Sequence, residues 1–134
     1  MADIRTVTPD FAVAPQLSPD DMKAVADLGF TLVINNRPDG EVPGQPTGAE
    51  MQAAAEAAGL RYVAVPVIGR PDSAQVQAVR DAVGRAHGPV LAFCRSGTRS
   101  IVSWSLGEKA AGARSREDLI GLGHAAGYDL SQVI

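Results

Sequence analysis

Apolar positions along the chain form short continuous runs, separated by longer stretches with a helical repeat and recognisable ends. The runs are Phe11-Ala12-Val13-Ala14, Thr31-Leu32-Val33-Ile34-Asn35, Arg61-Tyr62-Val63-Ala64-Val65-Pro66-Val67 and Pro89-Val90-Leu91-Ala92-Phe93. Their length suits strands, and a run that does not alternate with polar residues is expected where helices cover both faces of a sheet. The first helix is announced by Ser18 as N-cap, Pro19 at the first helical position and Asp20-Asp21 in the first turn. It carries Met22, Val25, Ala26 and Leu28 before Gly29 stops it. Thr47-Gly48-Ala49-Glu50 has capping-box spacing and opens an alanine-rich helix ending at Gly59. Asp72 or Ser73 caps a helix to about His87, another runs from about Arg99 to Ala111, and Ser115-Arg116-Glu117-Asp118 starts a last one towards Gly127. Residues 36–46 hold two glycines and three prolines and are predicted to be an irregular loop. Alternating strands and helices predict one α/β domain over residues 1–134, with a mostly parallel central sheet flanked by helices.

Composition narrows the possible partners. The net charge of −3 gives no basis for binding nucleic acid or a membrane surface. No apolar stretch approaches the ~20 residues of a membrane span, and the N-terminus lacks a signal-peptide pattern, so a cytoplasmic protein is expected. One cysteine excludes an internal disulfide. With two histidines and one cysteine there is no set for a four-ligand zinc site, so no metal or cofactor is expected, and His87 and His124 read as surface or packing residues. Gly121-Leu122-Gly123-His124-Ala125-Ala126 has glycines spaced like a dinucleotide loop but follows a helix cap rather than a strand, so that assignment is rejected.

The chemistry concentrates in Cys94-Arg95-Ser96-Gly97-Thr98-Arg99-Ser100, between the run ending at Phe93 and the following helix. Strand, tight glycine turn and helix N-terminus aim several backbone N–H groups at one spot, and the helix dipole adds positive potential there. A thiol so placed beside arginine is expected to ionise readily and to attack electrophiles that arrive as anions. Cys94 is the candidate nucleophile, and Arg99 is the candidate fork for the anion and partner of the thiolate. Arg95, Ser96, Gly97, Thr98 and Ser100 are candidates for binding the anion or bracing the loop. Ligands of such sheets bind beyond the carboxyl ends of the strands, which makes Arg37, in the loop after Asn35, a further candidate. Asp72 is the one nearby candidate general acid, although its place before a helix equally suits a cap.

Phosphoryl transfer and sulfane-sulfur transfer both fit such a loop. The spacing from Cys94 to Arg99 is Cys-x4-Arg, and the loop closely resembles the active loop of single-domain rhodaneses. Cysteine-dependent phosphatases use Cys-x5-Arg, usually with histidine where Phe93 stands. Over a wider span, Val33-Ile34-Asn35-Asn36-Arg37-Pro38-Asp39-Gly40-Glu41, Pro43-Gly44-Gln45-Pro46 and the Cys94 loop resemble the phosphatase-like domain of bacterial beta-lactamase hydrolase-like proteins. That resemblance implies a fold like the dual-specificity phosphatases and a link to sulfide and persulfide metabolism, with any persulfide-oxidising enzyme acting in trans. The leading expectation is a sulfurtransferase that carries a persulfide on Cys94, taking sulfur from thiosulfate or glutathione persulfide and passing it to glutathione, another thiol or cyanide. A phosphatase working through a phosphocysteine, and a non-catalytic persulfide or redox sensor, remain open.

Overall fold

In the computed structural model, which describes residues 2–134, strand alternation decides which helices cover which face of the sheet. Five strands, β1 (Arg5–Thr8), β2 (Phe11–Ala14), β3 (Leu32–Asn35), β4 (Arg61–Ala64) and β5 (Val90–Phe93), form one sheet in the order β1-β2-β5-β3-β4. Along β5, Leu91 and Phe93 point to a core containing Leu17, Met22, Val25, Met51 and Leu60. Val90 and Ala92 point to the opposite core, with Val79, Ile101, Trp104 and Leu119. The first core is covered by α1 (Met22–Asp27) and α2 (Gly48–Ala57), and the second by α3 (Ser73–Arg85), α4 (Thr98–Ala110) and α5 (Arg116–Ala125). Leu91, Ala92 and Phe93 are wholly buried, as period-two geometry requires of a central strand clad on both sides.

The pairings β2–β5, β5–β3 and β3–β4 are parallel, in agreement with the sequence, and β1 adds an antiparallel edge. That edge was not evident from the sequence, because Arg5-Thr6-Val7-Thr8 is short and holds one apolar residue, Val7. The longest run also shortens: β4 stops at Ala64, and the chain from Val65 through Pro71 leaves the sheet. Leu28, expected on the buried face of the first helix, is 67% exposed. It is the C-cap of a helix only six residues long, which ends before the repeat returns inward. No helix among the described residues is long and apolar enough to cross a membrane.

Helix ends follow their caps. Thr47 accepts the Glu50 N–H at 3.1 Å while Glu50 accepts that of Thr47, also at 3.1 Å. At the end of α5, Tyr128 N–H reaches the Gly123 carbonyl at 2.8 Å and Gly127 N–H reaches that of His124 at 3.0 Å, a Schellman closure around Gly127 at φ +94°. Gly123 is small for packing: a Cβ there would lie 2.6 Å from the Leu130 side chain.

Two contacts fix α4 beneath the loop that precedes it. Phe11 of β2 stacks on Trp104, with ring centroids 4.9 Å apart. Asn36, fully buried just beyond β3, donates its amide to the Val65 carbonyl at 2.9 Å and accepts the Ser100 hydroxyl at 2.8 Å. One side chain thereby ties the exits of β3 and β4 to the first turn of α4. Truncation would strand a buried carbonyl and a buried hydroxyl, each costing about 1–3 kcal/mol. Asn36→Ala is expected to lower the free energy of unfolding by about 2–6 kcal/mol in urea titration; a loss within error of zero would show that the tie carries no load.

Candidate active site

β5 is flanked on both sides by parallel strands, so three chain exits converge where it ends. Asn36 N–H bonds the Phe93 carbonyl at 2.8 Å, Cys94 N–H bonds that of Ala14 at 3.4 Å, and Gln16 N–H bonds that of Arg95 at 3.2 Å. The segment from Cys94 to Thr98 is thus gripped by the exits of β2 and β3 while it turns into α4. Gly97 makes the turn at φ +92°, which residues with a Cβ rarely adopt. A Cβ there would also collide with the Tyr128 hydroxyl and sit 3.3 Å from the Ala14 carbonyl. The turn directs the Gly97 N–H at Cys94 Sγ, 3.1 Å away. Ser96 Oγ donates to Thr98 Oγ1 at 3.0 Å and accepts the Thr98 N–H at 3.3 Å, bracing the tip. Cys94 itself is fully buried, at the floor of the loop.

Above the floor, two arginines share one carboxylate. Arg99, in the first turn of α4, donates Nη1 to Glu41 Oε2 at 2.7 Å and Nη2 to Glu41 Oε1 at 2.9 Å, a bidentate fork. Its Nη1 also reaches the Val67 carbonyl at 2.8 Å. Arg37 donates Nε to Glu41 Oε1 at 2.8 Å and Nη1 to Gln16 Oε1 at 3.1 Å. An Asx turn, with Arg37 N–H on Asn35 Oδ1 at 2.9 Å, sets Arg37 at the exit of β3. Hydrogen bonds from Arg99, then Arg37, bring the Glu41 carboxyl from its ordinary 4.5 down to about 2, against a smaller opposing effect of burial. The Arg99 guanidinium is held above its ordinary value, by the Glu41 bond first and with the Cys94 charge adding, while burial opposes.

The sequence candidates divide by what holds them. Cys94, Gly97 and Arg99 meet in one loop. The Ser96 and Thr98 hydroxyls hold each other, and Ser100 is spent on Asn36. It is Ser103, one turn further on, that bonds a helix carbonyl, that of Arg99, at 2.7 Å. The Arg95 side chain is exposed, and its backbone carbonyl anchors the Gln16 segment. Arg37 is coupled to Arg99 only through Glu41. Asp72 serves as a cap: its Oδ1 accepts the Gln75 N–H at 2.8 Å, and the Asp72 N–H donates in turn to Gln75 Oε1 at 2.9 Å. Glu41 was not singled out from the sequence, because its contact with Arg99 spans 58 positions. The four-residue spacing of Arg37 and Glu41 was the available hint. Among the described residues no cluster of His, Cys, Asp and Glu could hold a metal ion.

In sequence and in fold the chain is similar to known proteins. Residues 3–112 match the sequence profile of the phosphatase-like domain of beta-lactamase hydrolase-like proteins. The beta-lactamase hydrolase-like protein of Xylella fastidiosa is 41% identical over 124 residues, covering 92% of this chain and 29% of the relative. Its counterpart in Agrobacterium fabrum is 39% identical over 111 residues, covering 82% of this chain and 26% of the relative. The chain therefore spans less than a third of the length of these relatives. Among solved structures, a phosphatase-like protein of Neisseria meningitidis superimposes with a TM-score of 0.85 at 33% identity, over 96% of this chain and 92% of that one. TpbA of P. aeruginosa has the same fold at 18% identity, with a TM-score of 0.68 over 98% of this chain and 79% of that one. The fold is that of the cysteine-dependent phosphatases, and by sequence the chain belongs to the phosphatase-like domain family of the beta-lactamase hydrolase-like proteins.

Proposed function

We propose that the chain is a cysteine-dependent phosphatase acting on phosphomonoesters. The observation that carries this reading is the loop geometry: a sulfur receiving a backbone N–H at 3.1 Å, with an arginine fork rising from the next helix turn. Its setting is the fold of known phosphatases. Cys94, as thiolate, attacks phosphorus, and the ester oxygen departs with the electron pair of the P–O bond. Water then cleaves the resulting S–P bond, returning the thiolate and inorganic phosphate. Loop N–H groups and the helix dipole stabilise the negative charge on the phosphoryl oxygens. Glu41 already occupies both terminal nitrogens of Arg99, so substrate enters by anion exchange, with Arg37 keeping hold of the displaced carboxylate.

One feature favours a second reading. Neither Asp72 nor Glu41 is free to protonate a leaving oxygen: Asp72 is committed to its cap, and Glu41 is deprotonated far below neutral pH. Sulfane-sulfur transfer needs no such acid. Cys94 would attack the outer sulfur of thiosulfate, sulfite would leave with the S–S electron pair, and the persulfide would pass to a thiol such as glutathione or to cyanide. The Cys-x4-Arg spacing supports this reading as well. A persulfide-oxidising enzyme would be its natural partner. The sensor reading rests on an accessible thiol, whereas Cys94 is wholly buried.

Three outcomes test these statements. Nitrophenyl phosphate, whose leaving group needs little help, should be hydrolysed in a Cys94-dependent manner. Phenyl phosphate should be slower by about a hundredfold, the scale of a general acid's contribution. No turnover of the nitrophenyl ester, together with a one-sulfur mass gain on Cys94 after thiosulfate, would replace the first reading by the second. Asp72→Ala should lose about 1 kcal/mol of stability yet keep its turnover, and a large fall in kcat with an unchanged melting temperature would return Asp72 to the mechanism. The third concerns Glu41. Its folded-state value lies below the ordinary one, so its stabilisation is fully present above about pH 4.5 and is lost as pH falls towards about 2. Wild type should exceed Glu41→Gln in melting temperature at neutral pH, and the gap should close across that acid window. A gap unchanged at pH 2 would remove the arginine–carboxylate bonds as its source.

A further inference from the structure

The Ser96–Gly97 peptide is held from both sides. Its carbonyl accepts the Tyr128 hydroxyl at 2.9 Å, and its N–H points at Cys94 Sγ at 3.1 Å. No described peptide bond is cis, and in a planar trans unit the C=O and N–H directions are opposed, so fixing one fixes the other. Gly97, at φ +92°, has no Cβ to restrict rotation of that plane, which therefore needs an external anchor. Tyr128 is itself well placed to be one. The Schellman closure of α5 sets its backbone, and the Arg5 guanidinium lies over its ring, 5.5 Å from the centroid. Arg5 also donates to the Ala126 carbonyl at 3.2 Å, tying the edge strand to the same corner. Burial, first, raises the phenol above its ordinary value; Arg5 opposes, and the charges of Cys94 and Asp3 add. The hydroxyl thus keeps its proton and remains a donor. Tyr128 lies beyond residues 3–112, the stretch matched by the family profile.

We propose that Tyr128 is a positioning residue for the nucleophile: by holding the Ser96 carbonyl, its hydroxyl aims the Gly97 N–H at the Cys94 sulfur. The proposal rests on Cys94 being the nucleophile, which phosphoryl and sulfur transfer share. Without the hydroxyl the Ser96–Gly97 plane is free to turn, and the thiolate loses a donor that favours its charged form. A mere packing role for Tyr128 would change stability and leave the sulfur's titration where it is.

The test is the ultraviolet absorbance of the Cys94 thiolate followed against pH, with Cys94→Ser as blank. It needs neither a substrate nor reagent access to a buried thiol. Tyr128→Phe keeps the ring beneath Arg5, and the freed Ser96 carbonyl lies where water can reach it, so the fold is retained. At a pH below the wild-type midpoint, its thiolate fraction should fall about tenfold or more, the effect of one lost hydrogen bond to an anion. Arg5→Lys, which loosens the same corner but leaves charge and hydroxyl in place, should titrate as wild type. An unchanged titration in Tyr128→Phe overturns the proposal. An equal shift in Arg5→Lys also overturns it, by assigning the effect to packing of the corner. Because no donor or ester is involved, failure here is separate from failure of the phosphatase reading, which turnover decides.

Discussion

The hydrogen bond from Gly97 N–H to Cys94 Sγ sets the geometric demand that the surrounding chain meets. A strand must end, reverse towards its own last side chain, and become a helix within about one helical turn. This requires a residue without a Cβ at the bend, and Gly97 supplies it. It also requires that neither flank drift. The central place of β5 gives it parallel neighbours on both sides, whose exits bond the Phe93 and Arg95 carbonyls. On the helix side, Ser100 is tied to Asn36 and Trp104 is stacked on Phe11. The site is precise because its loop is short and its borders belong to the core.

A second constraint is electrostatic. Arg37 and Arg99 are, respectively, 5% and 18% exposed in their side chains, and both converge on Glu41. Two partly desolvated guanidinium groups near a helix N-terminus create a strong demand for negative charge, and the free protein answers it with its own carboxylate. That answer keeps Arg99 extended in a fork geometry suited to any planar or tetrahedral anion. On the proposed anion exchange, affinity for substrate would be a difference between two ion pairs. Bulky loop residues are not needed to select for charge, since a neutral molecule would have to displace Glu41 with nothing to offer Arg99 in return.

Local signals made most of the architecture legible. Caps at Thr47, Asp72 and Ser115 and stops at Gly29, Gly59 and Gly127 mark helix ends within a residue or two, because each acts through bonds to near neighbours in the chain. The edge strand β1 carried no such signal: half of its positions face outward, and its antiparallel partner is the only feature that makes it a strand. The same contrast runs through the site. Cys94, Gly97 and Arg99 lie within one short loop and could be read together. Glu41 reaches Arg99 across 58 positions and Tyr128 reaches Ser96 across 32, and no local pattern encodes either distance. Asp72 was ambiguous for a physical reason, since the residue type that caps a helix is also the one that delivers a proton.

That ambiguity bears directly on the chemistry. A helix N-terminus favours an ionised carboxylate, whereas a general acid must arrive with its proton. Asp72 spends its carboxyl oxygen on the Gln75 N–H as a cap, and Glu41, clamped by two guanidinium groups, stands on the charged side of that divide. The loop is therefore equipped to gather negative charge and poorly equipped to neutralise it on a departing oxygen. On either proposed reading, catalysis would come from stabilising the attacking sulfur and the transferred anion, which is the part of the machinery that phosphate and sulfane sulfur would hold in common. What separates the two substrates is the group that leaves. A departing anion that is already stable, whether nitrophenolate or sulfite, asks of this site only what its geometry provides.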